Sequence, residues 1–406
     1  RPGTGAELFA TQPVFRAEIE RCSAALGPLL DLRLEALLFE PDPHGRLDDP
    51  RLGQPATFAL EVALAALWRS WGVEPAAVIG HSLGEYAAAC AAGVFAVEDG
   101  VRLMVERGRL CHASPPGAML AIAAPPERVA AWLQPWASAL SIAVFNGPAD
   151  VVVSGQPAAV AELAALLERG GVRHRAMAMT RGYHSPQLDP ILAEFRAHVA
   201  AIPLASPRLP VVSNLDGQPA GERLRDPDYW RRQLREPVRF ADGLQTLLAA
   251  GHTLFLELGP APILSGLGLR LTGEQPHLAW LPSLRSALGE THQMLTSAAE
   301  LHVRGAAVDW AGVDAPFERR RGAAPTYPFQ RARHWLATTP RRSTYGGPRG
   351  PARGVHPLLG DEVPLADSEA RRFAARLDAR TPAWIGQHRV LGATLLPAAA
   401  YVELAL

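Results

Sequence analysis

Five residues restrict the fold more than anything else in the chain. Gly80-His81-Ser82-Leu83-Gly84 follows a short apolar run, Pro75 to Ile79, that reads as a buried strand, and it precedes a small-residue helix running from Tyr86 towards Ala92. A G-x-S-x-G sequence between a strand and a helix is a nucleophile elbow. Its glycines permit a sharp turn that lifts the serine oxygen clear of the backbone, and the helix N-terminus favours negative charge developing beside it. The five-residue pattern is loose enough to occur by accident; the flanking strand and helix give it meaning.

The surrounding sequence supplies an α/β frame for such a turn. Helical spacing of apolar residues runs from Ala6 to Leu30 and from Ala56 to Trp71. Between about 117 and 180 the order is strand 118–123, helix 126–133, strands 140–145 and 151–154, helix 157–169 and strand 173–179. That βαββαβ order is the ferredoxin-like arrangement, set as a subdomain within a parallel α/β core. Helix 187–201 and extended segments 209–213 and 254–258 resume the core. The Pro/Gly/Arg-rich stretch 338–354 has no apolar period and reads as a flexible linker.

A serine hydroxyl needs a base, and 13 histidines are available. His184, in Thr180-Arg-Gly-Tyr-His-Ser-Pro186, stands out because it follows the insert in a loop between a strand and a helix, where catalytic side chains concentrate. Arg107 follows Ser82 by 25 residues on the next helix and could present a planar fork to a substrate carboxylate. With Arg102 and Arg109 crowding it, the sequence alone favours a solvated helix-end arginine.

Composition narrows the chemistry. Forty basic residues balance forty acidic ones, so there is no global positive field to hold a nucleic acid or an anionic membrane. The basic residues are all arginine, which excludes a lysine Schiff base. Cys22, Cys90 and Cys111 are too few and too scattered for a disulfide framework or a zinc site, so no metal is expected and a reducing cytoplasm fits best. No apolar stretch is long enough for a membrane span. Neither end carries a start or stop signal, so both read as cuts through a longer polypeptide.

Taken together, the ordered blocks Gln54-Pro55-Ala56, Gly80 to Tyr86, Arg107-Gly-Arg-Leu110, Gly117-Ala-Met119, Asn146-Gly-Pro148, Val153-Ser-Gly155, Tyr183-His-Ser-Pro186, Tyr229-Trp230, Glu236-Pro-Val238 and Leu256 to Pro260 resemble the acyltransferase domain of modular type I polyketide synthases, relatives of malonyl-CoA:acyl-carrier-protein transacylases. The resemblance implies an α/β-hydrolase-like core and an acyltransferase domain over 1–285. A post-acyltransferase linker over 286–337 carries Pro325 to Arg331 and His334-Trp335. From 355 to 406, His356-Pro-Leu-Leu-Gly360 and His388-Arg-Val-Leu-Gly392 with Pro397 resemble the opening of a dehydratase, a partial hot-dog segment.

That resemblance implies that Ser82 attacks a coenzyme A thioester, that His184 takes the proton, and that an acyl-serine then passes its acyl group to the phosphopantetheine thiol of an acyl carrier protein. No bound cofactor is implied. Expected partners are that carrier protein and the ketosynthase of the same synthase, in a homodimeric parent. Arg107 corresponds to the family's carboxylate anchor, while Gln54, His81 and Tyr183 line the site. The Leu83 N–H is one oxyanion donor; the second belongs to a Gly-Gln-Gly motif that this chain does not contain. Loss of one such donor costs about 2.7 to 4 kcal/mol in the barrier, so the isolated chain is expected to be slow or inactive. His388 would be the dehydratase base, with its carboxylate partner later in that domain.

Where the family discriminates extender units, this chain reads Arg181-Gly-Tyr-His184 and matches neither the malonyl nor the methylmalonyl pattern. The bulk of Tyr183 favours malonyl. One methyl in a pocket is worth only about 1 to 3 kcal/mol, and Arg181 leaves room for an unusual unit. Three alternatives remain open: a serine esterase, a patatin-like Ser–Asp dyad using Asp216, and a non-catalytic scaffold segment.

Overall fold

A computed structural model describes residues 2–42, 44–285, 289–319, 322–323, 325–332, 356–366 and 368–406. The chain forms two compact units, Arg1–Arg321 and Gly322–Leu406. The expected flexible linker, His334 and Trp335 lie outside the described residues, as do most of the expected domain boundaries.

In the first unit, helices α1 (Pro13–Leu30) and α2 (Pro50–Ser70) lead to strand β1 (Val78–Ile79), then to α3 (Gly84–Ala91) and α4 (Val97–Ala113). Proline at the first turn of α1 and α2 costs no hydrogen bond, because that N–H has no partner inside a helix. The Asp49 side chain caps α2 by accepting from the Arg51 N–H. The helix therefore starts six residues earlier than the apolar period alone predicts, which places Gln54 inside it.

The insert follows as β2 (Ala118–Ile122), α5 (Pro126–Leu133), β3 (Leu140–Gly147), β4 (Asp150–Gly155), α6 (Pro157–Arg169) and β5 (His174–Ala176). Its sheet runs β3-β4-β2-β5, all neighbours antiparallel, which is the ferredoxin-like order. Strand alternation divides its two faces. Leu120, Ile122, Val151 and Val153 pack on the insert's own helices. Met119, Val144 and Val152 pack instead on Phe240 and Leu244 of the main body. The insert is thus fixed to the core by a second apolar layer.

The main body resumes with α7 (Leu192–Ala200), β6 (Val211–Val212), α8 (Pro227–Arg235), α9 (Phe240–Ala249), β7 (Leu254–Glu257) and β8 (Ala279–Pro282). Strand β1 pairs in parallel with β6, Val78 opposite Val211 and Ile79 opposite Val212, and β7 pairs in parallel with β8. The expected parallel core is present as these two pairs. A cavity of about 740 Å³ lies between them, lined by Val78, Ile79, Leu256 and Trp280 with the Glu61 side chain.

The second unit contains the antiparallel pair β9 (Asp361–Val363) with β10 (Arg372–Ala374), the pair β11 (Arg389–Val390) with β12 (Ala393–Thr394), and helix α10 (Ala398–Ala405). None of the helices in the described residues is long and apolar enough to cross a membrane.

Candidate active site

Ser82 stands three residues after β1 and begins the turn into α3. Its φ is +54°, left-handed and strained for a residue with a side chain. The turn also needs glycine at position 80: a Cβ there would lie 2.1 Å from the Glu85 nitrogen. His184 likewise has a positive φ of +56°. Two strained residues 102 positions apart meet through their side chains, with Ser82 Oγ 2.7 Å from His184 Nε2.

The other ring nitrogen fixes the tautomer. Nδ1 of His184 lies 2.8 Å from the main-chain carbonyl oxygen of Glu236. A carbonyl only accepts, so Nδ1 carries the hydrogen, and the lone pair of Nε2 is left to accept the Ser82 hydroxyl proton. His184 is 1% exposed, and burial followed by the nearby Arg107 charge pushes its pKa down to about 3. The imidazole is neutral at physiological pH.

Arg107 does not match the solvated helix-end reading. It is 2% exposed, donates from Nη1 to Gln54 Oε1 at 2.7 Å and lies over the Tyr86 ring. Its Nε is buried without an acceptor, and among the described residues no carboxylate pairs with it. Arg102 and Arg109 do behave as surface residues, bonded to Asp99 and to Glu106 and Glu194. Gln54 sits inside α2 and holds the guanidinium.

Tyr183 is half-buried where two apolar clusters meet, beside Gln54 and Arg107. Arg181 turns away. Its guanidinium donates to the main-chain carbonyls of Cys111, His112 and Thr180, tying the His184 loop to the C-terminal end of α4. His81 has its Nε2 3.1 Å from Asn146 Oδ1 and packs on Phe240, and burial lowers its pKa. The Leu83 N–H donates to no acceptor among the described residues.

Sequence reasoning assigned no role to a second layer around the elbow. Asn214, Gln233, Glu85 and Tyr229 are all buried there. Asn214 follows β6 by two residues, so parallel pairing with β1 brings it beside the elbow, a proximity that strand partnering alone could reveal.

Asp216 is far from the patatin-like role. It accepts from Arg223 and from the Gln218 N–H in a turn. The orienting acceptor on His184 is a backbone carbonyl, whereas the esterase reading needs a carboxylate, and the Glu236 side chain is paired with Arg232. In the second unit His388 is exposed, with Nδ1 3.0 Å from the Leu395 carbonyl oxygen.

A profile described as acyl transferase domain matches residues 2–308, and one described as polyketide synthase dehydratase domain matches 356–406. The chain belongs to the polyketide synthase acyltransferases. Spectinabilin polyketide synthase system protein NorA' of Streptomyces orinoci is 40% identical over all of this chain, which spans 11% of that protein. Mycoketide-CoA synthase of Mycobacterium tuberculosis is 38% identical, again over the whole chain and 10% of its own length. The chain therefore spans about a tenth of the length of these relatives.

Among solved structures, the acyltransferase domain from the second module of the salinomycin polyketide synthase superposes with a TM-score of 0.75 at 38% identity, covering 81% of this chain and 76% of that one. The malonyl CoA-acyl carrier protein transacylase of Coxiella burnetii gives 0.67 at 28% identity, covering 74% and 94%.

Proposed function

We propose that this acyltransferase moves a malonyl unit from malonyl-CoA to the phosphopantetheine thiol of an acyl carrier protein, through an ester on Ser82. As Ser82 Oγ attacks the thioester carbonyl, its proton passes to Nε2 of His184. The tetrahedral oxyanion is held by the Leu83 N–H. The C–S bond breaks, coenzyme A leaves with the proton from His184, and acyl-Ser82 remains. The carrier thiol then gives its proton to His184 and attacks the ester, restoring Ser82. Burial keeps the resting imidazole neutral and makes the imidazolium costly, so the Glu236 carbonyl on Nδ1–H is the dipole that stabilises the ion during turnover.

The observation that carries the reading is the buried Arg107 guanidinium, which has no carboxylate partner among the described residues. A charge removed from water and left unpaired is unfavourable until an anion arrives, and a malonyl carboxylate supplies one in bidentate geometry. Tyr183 is the bulky side chain beside that anchor, while Arg181 is committed to backbone carbonyls, which supports malonyl over a branched unit. The carrier protein and ketosynthase of one synthase, in a homodimeric cytoplasmic parent, are the partners this reading carries with it. So is dehydratase chemistry at His388.

The test compares loading of malonyl and acetyl groups. Arg107→Ala is expected to reduce malonyl loading at least tenfold more than acetyl loading. Equal losses would remove the anchor role.

A further inference from the structure

Both peptide groups flanking Ser82 are gripped by side chains from elsewhere in the chain. On the N-terminal side, Asn214 Oδ1 accepts from the Ser82 N–H at 2.7 Å while its Nδ2 donates to the Gly80 carbonyl at 2.8 Å. The amide copies the donor and acceptor of a neighbouring strand and continues the β1–β6 pairing one step beyond the point where the backbones diverge. On the C-terminal side, Gln233 Nε2 of α8 donates to the Ser82 carbonyl at 2.8 Å. Asn214 is itself held, its N–H donating to Glu85 Oε1 at 3.2 Å, and the Tyr229 hydroxyl donates to that same oxygen.

The consequence follows from peptide planarity. The Ser82 carbonyl and the Leu83 N–H belong to one rigid trans peptide group and point in opposite directions. The Ser82 carbonyl also accepts from the Glu85 N–H at 3.2 Å, and Gln233 adds the second and shorter bond that fixes it, and with it where the Leu83 N–H is aimed. Fixing the preceding peptide through Asn214 holds Ser82 at its unfavourable positive φ. An oxyanion donor is effective only when its direction is set before charge develops. We propose that Asn214 and Gln233 are positioning residues that lock the two peptide groups of Ser82 and so aim the Leu83 N–H at the developing oxyanion. The proposal rests on the acyl-Ser82 reading above and adds to it the residues that pre-organise the oxyanion donor.

The experiment uses the full-length natural polypeptide and measures kcat and KM for coenzyme A release from malonyl-CoA, with thermal melting as the fold control. Gln233→Met keeps length and loses the donor. It is expected to lower kcat about 10- to 100-fold with KM unchanged within twofold. Asn214→Asp supplies a second, independent readout. A neutral carboxyl can accept from the Ser82 N–H and donate to the Gly80 carbonyl; an ionised one turns a second oxygen on that carbonyl. The groups facing this position are Glu85 of α3, the Tyr229 hydroxyl of α8, His81 in the same turn, and Asp216 with its Arg223 partner further out.

The ratio of variant to wild-type kcat is therefore expected to fall as pH rises from 5 to 8. A flat ratio, or a folded Gln233→Met enzyme with wild-type kcat, overturns the proposal while leaving acyl-Ser82 standing. A loss carried by KM alone also overturns it. If Gln233→Met does not fold, the pH dependence of Asn214→Asp decides. Absence of any Ser82 acylation in the wild type overturns the underlying reading and this one with it.

Discussion

His184 illustrates how burial sets chemistry at a single side chain. With its pKa pushed down to about 3, it stays neutral far below the range where an exposed histidine titrates. The acylation rate is therefore expected to show no inflection from His184 protonation between pH 5 and 7; a fall in rate centred near 6.5, beyond any change shown by a His81→Asn control, contradicts this. Stability follows the same sign. Below 6.5 the unfolded chain binds a proton that folded His184 refuses, so this group destabilises the fold progressively as pH drops towards 3. Ser82 and His184 were readable because each lies in a short motif whose chemistry is local. Arg107 required a further step: Met104, Arg107, Gly108 and Cys111 follow i, i+3, i+4, i+7 spacing and are all buried, while Arg102 and Arg109 fall off that stripe. The helix face, and not the arginine itself, distinguishes an anchor from a surface charge.

At the level of elements, the site depends on close approach between the insert and the His184 loop. Gly117, just before β2, has no room for a side chain: a Cβ would lie 2.0 Å from the Gly182 nitrogen. Gly117→Ala is expected to displace the loop and reduce Ser82 acylation at least tenfold, with a lowered Tm; unchanged activity would show that the loop accommodates the methyl group. The insert itself was legible in sequence because its strands are long enough for alternation to register and its helices begin at prolines. The core strands β1 and β6 hold two residues each, too short for any period, and were located by the motif that follows and by an apolar run. Their partnership was not legible at all, since it joins residues more than 130 positions apart, and with it went Asn214 and Gln233.

For the molecule as a whole, every residue assigned to the acyltransferase site lies within the first compact unit. Removal of residues 322–406 from the full-length protein is expected to leave Ser82 acylation within threefold of the unaltered protein, measured by coenzyme A release; a larger loss in a folded variant would contradict a site confined to the first unit. The cavity between the two parallel strand pairs has its own electrostatic signature. Burial, with Glu257 adding to it, pushes the Glu61 carboxyl up to about 8. The folded state thus keeps a proton that the unfolded chain gives up near 4.5, so stability declines as pH rises through that interval. Glu61→Gln, neutral throughout, is expected to melt above wild type at pH 8 and alongside it at pH 4; the same difference at both pH values would contradict a protonated Glu61, half-buried on the cavity wall. The central claim is that Ser82, His184 and Arg107 act as one acyl-transfer site. Its most direct test is mass spectrometry of the full-length protein after incubation with malonyl-CoA. The account predicts a malonyl adduct on the peptide carrying Ser82 that disappears in Ser82→Ala and is discharged by carrier-protein thiol. An adduct that persists in Ser82→Ala, or none in the wild type, would contradict it.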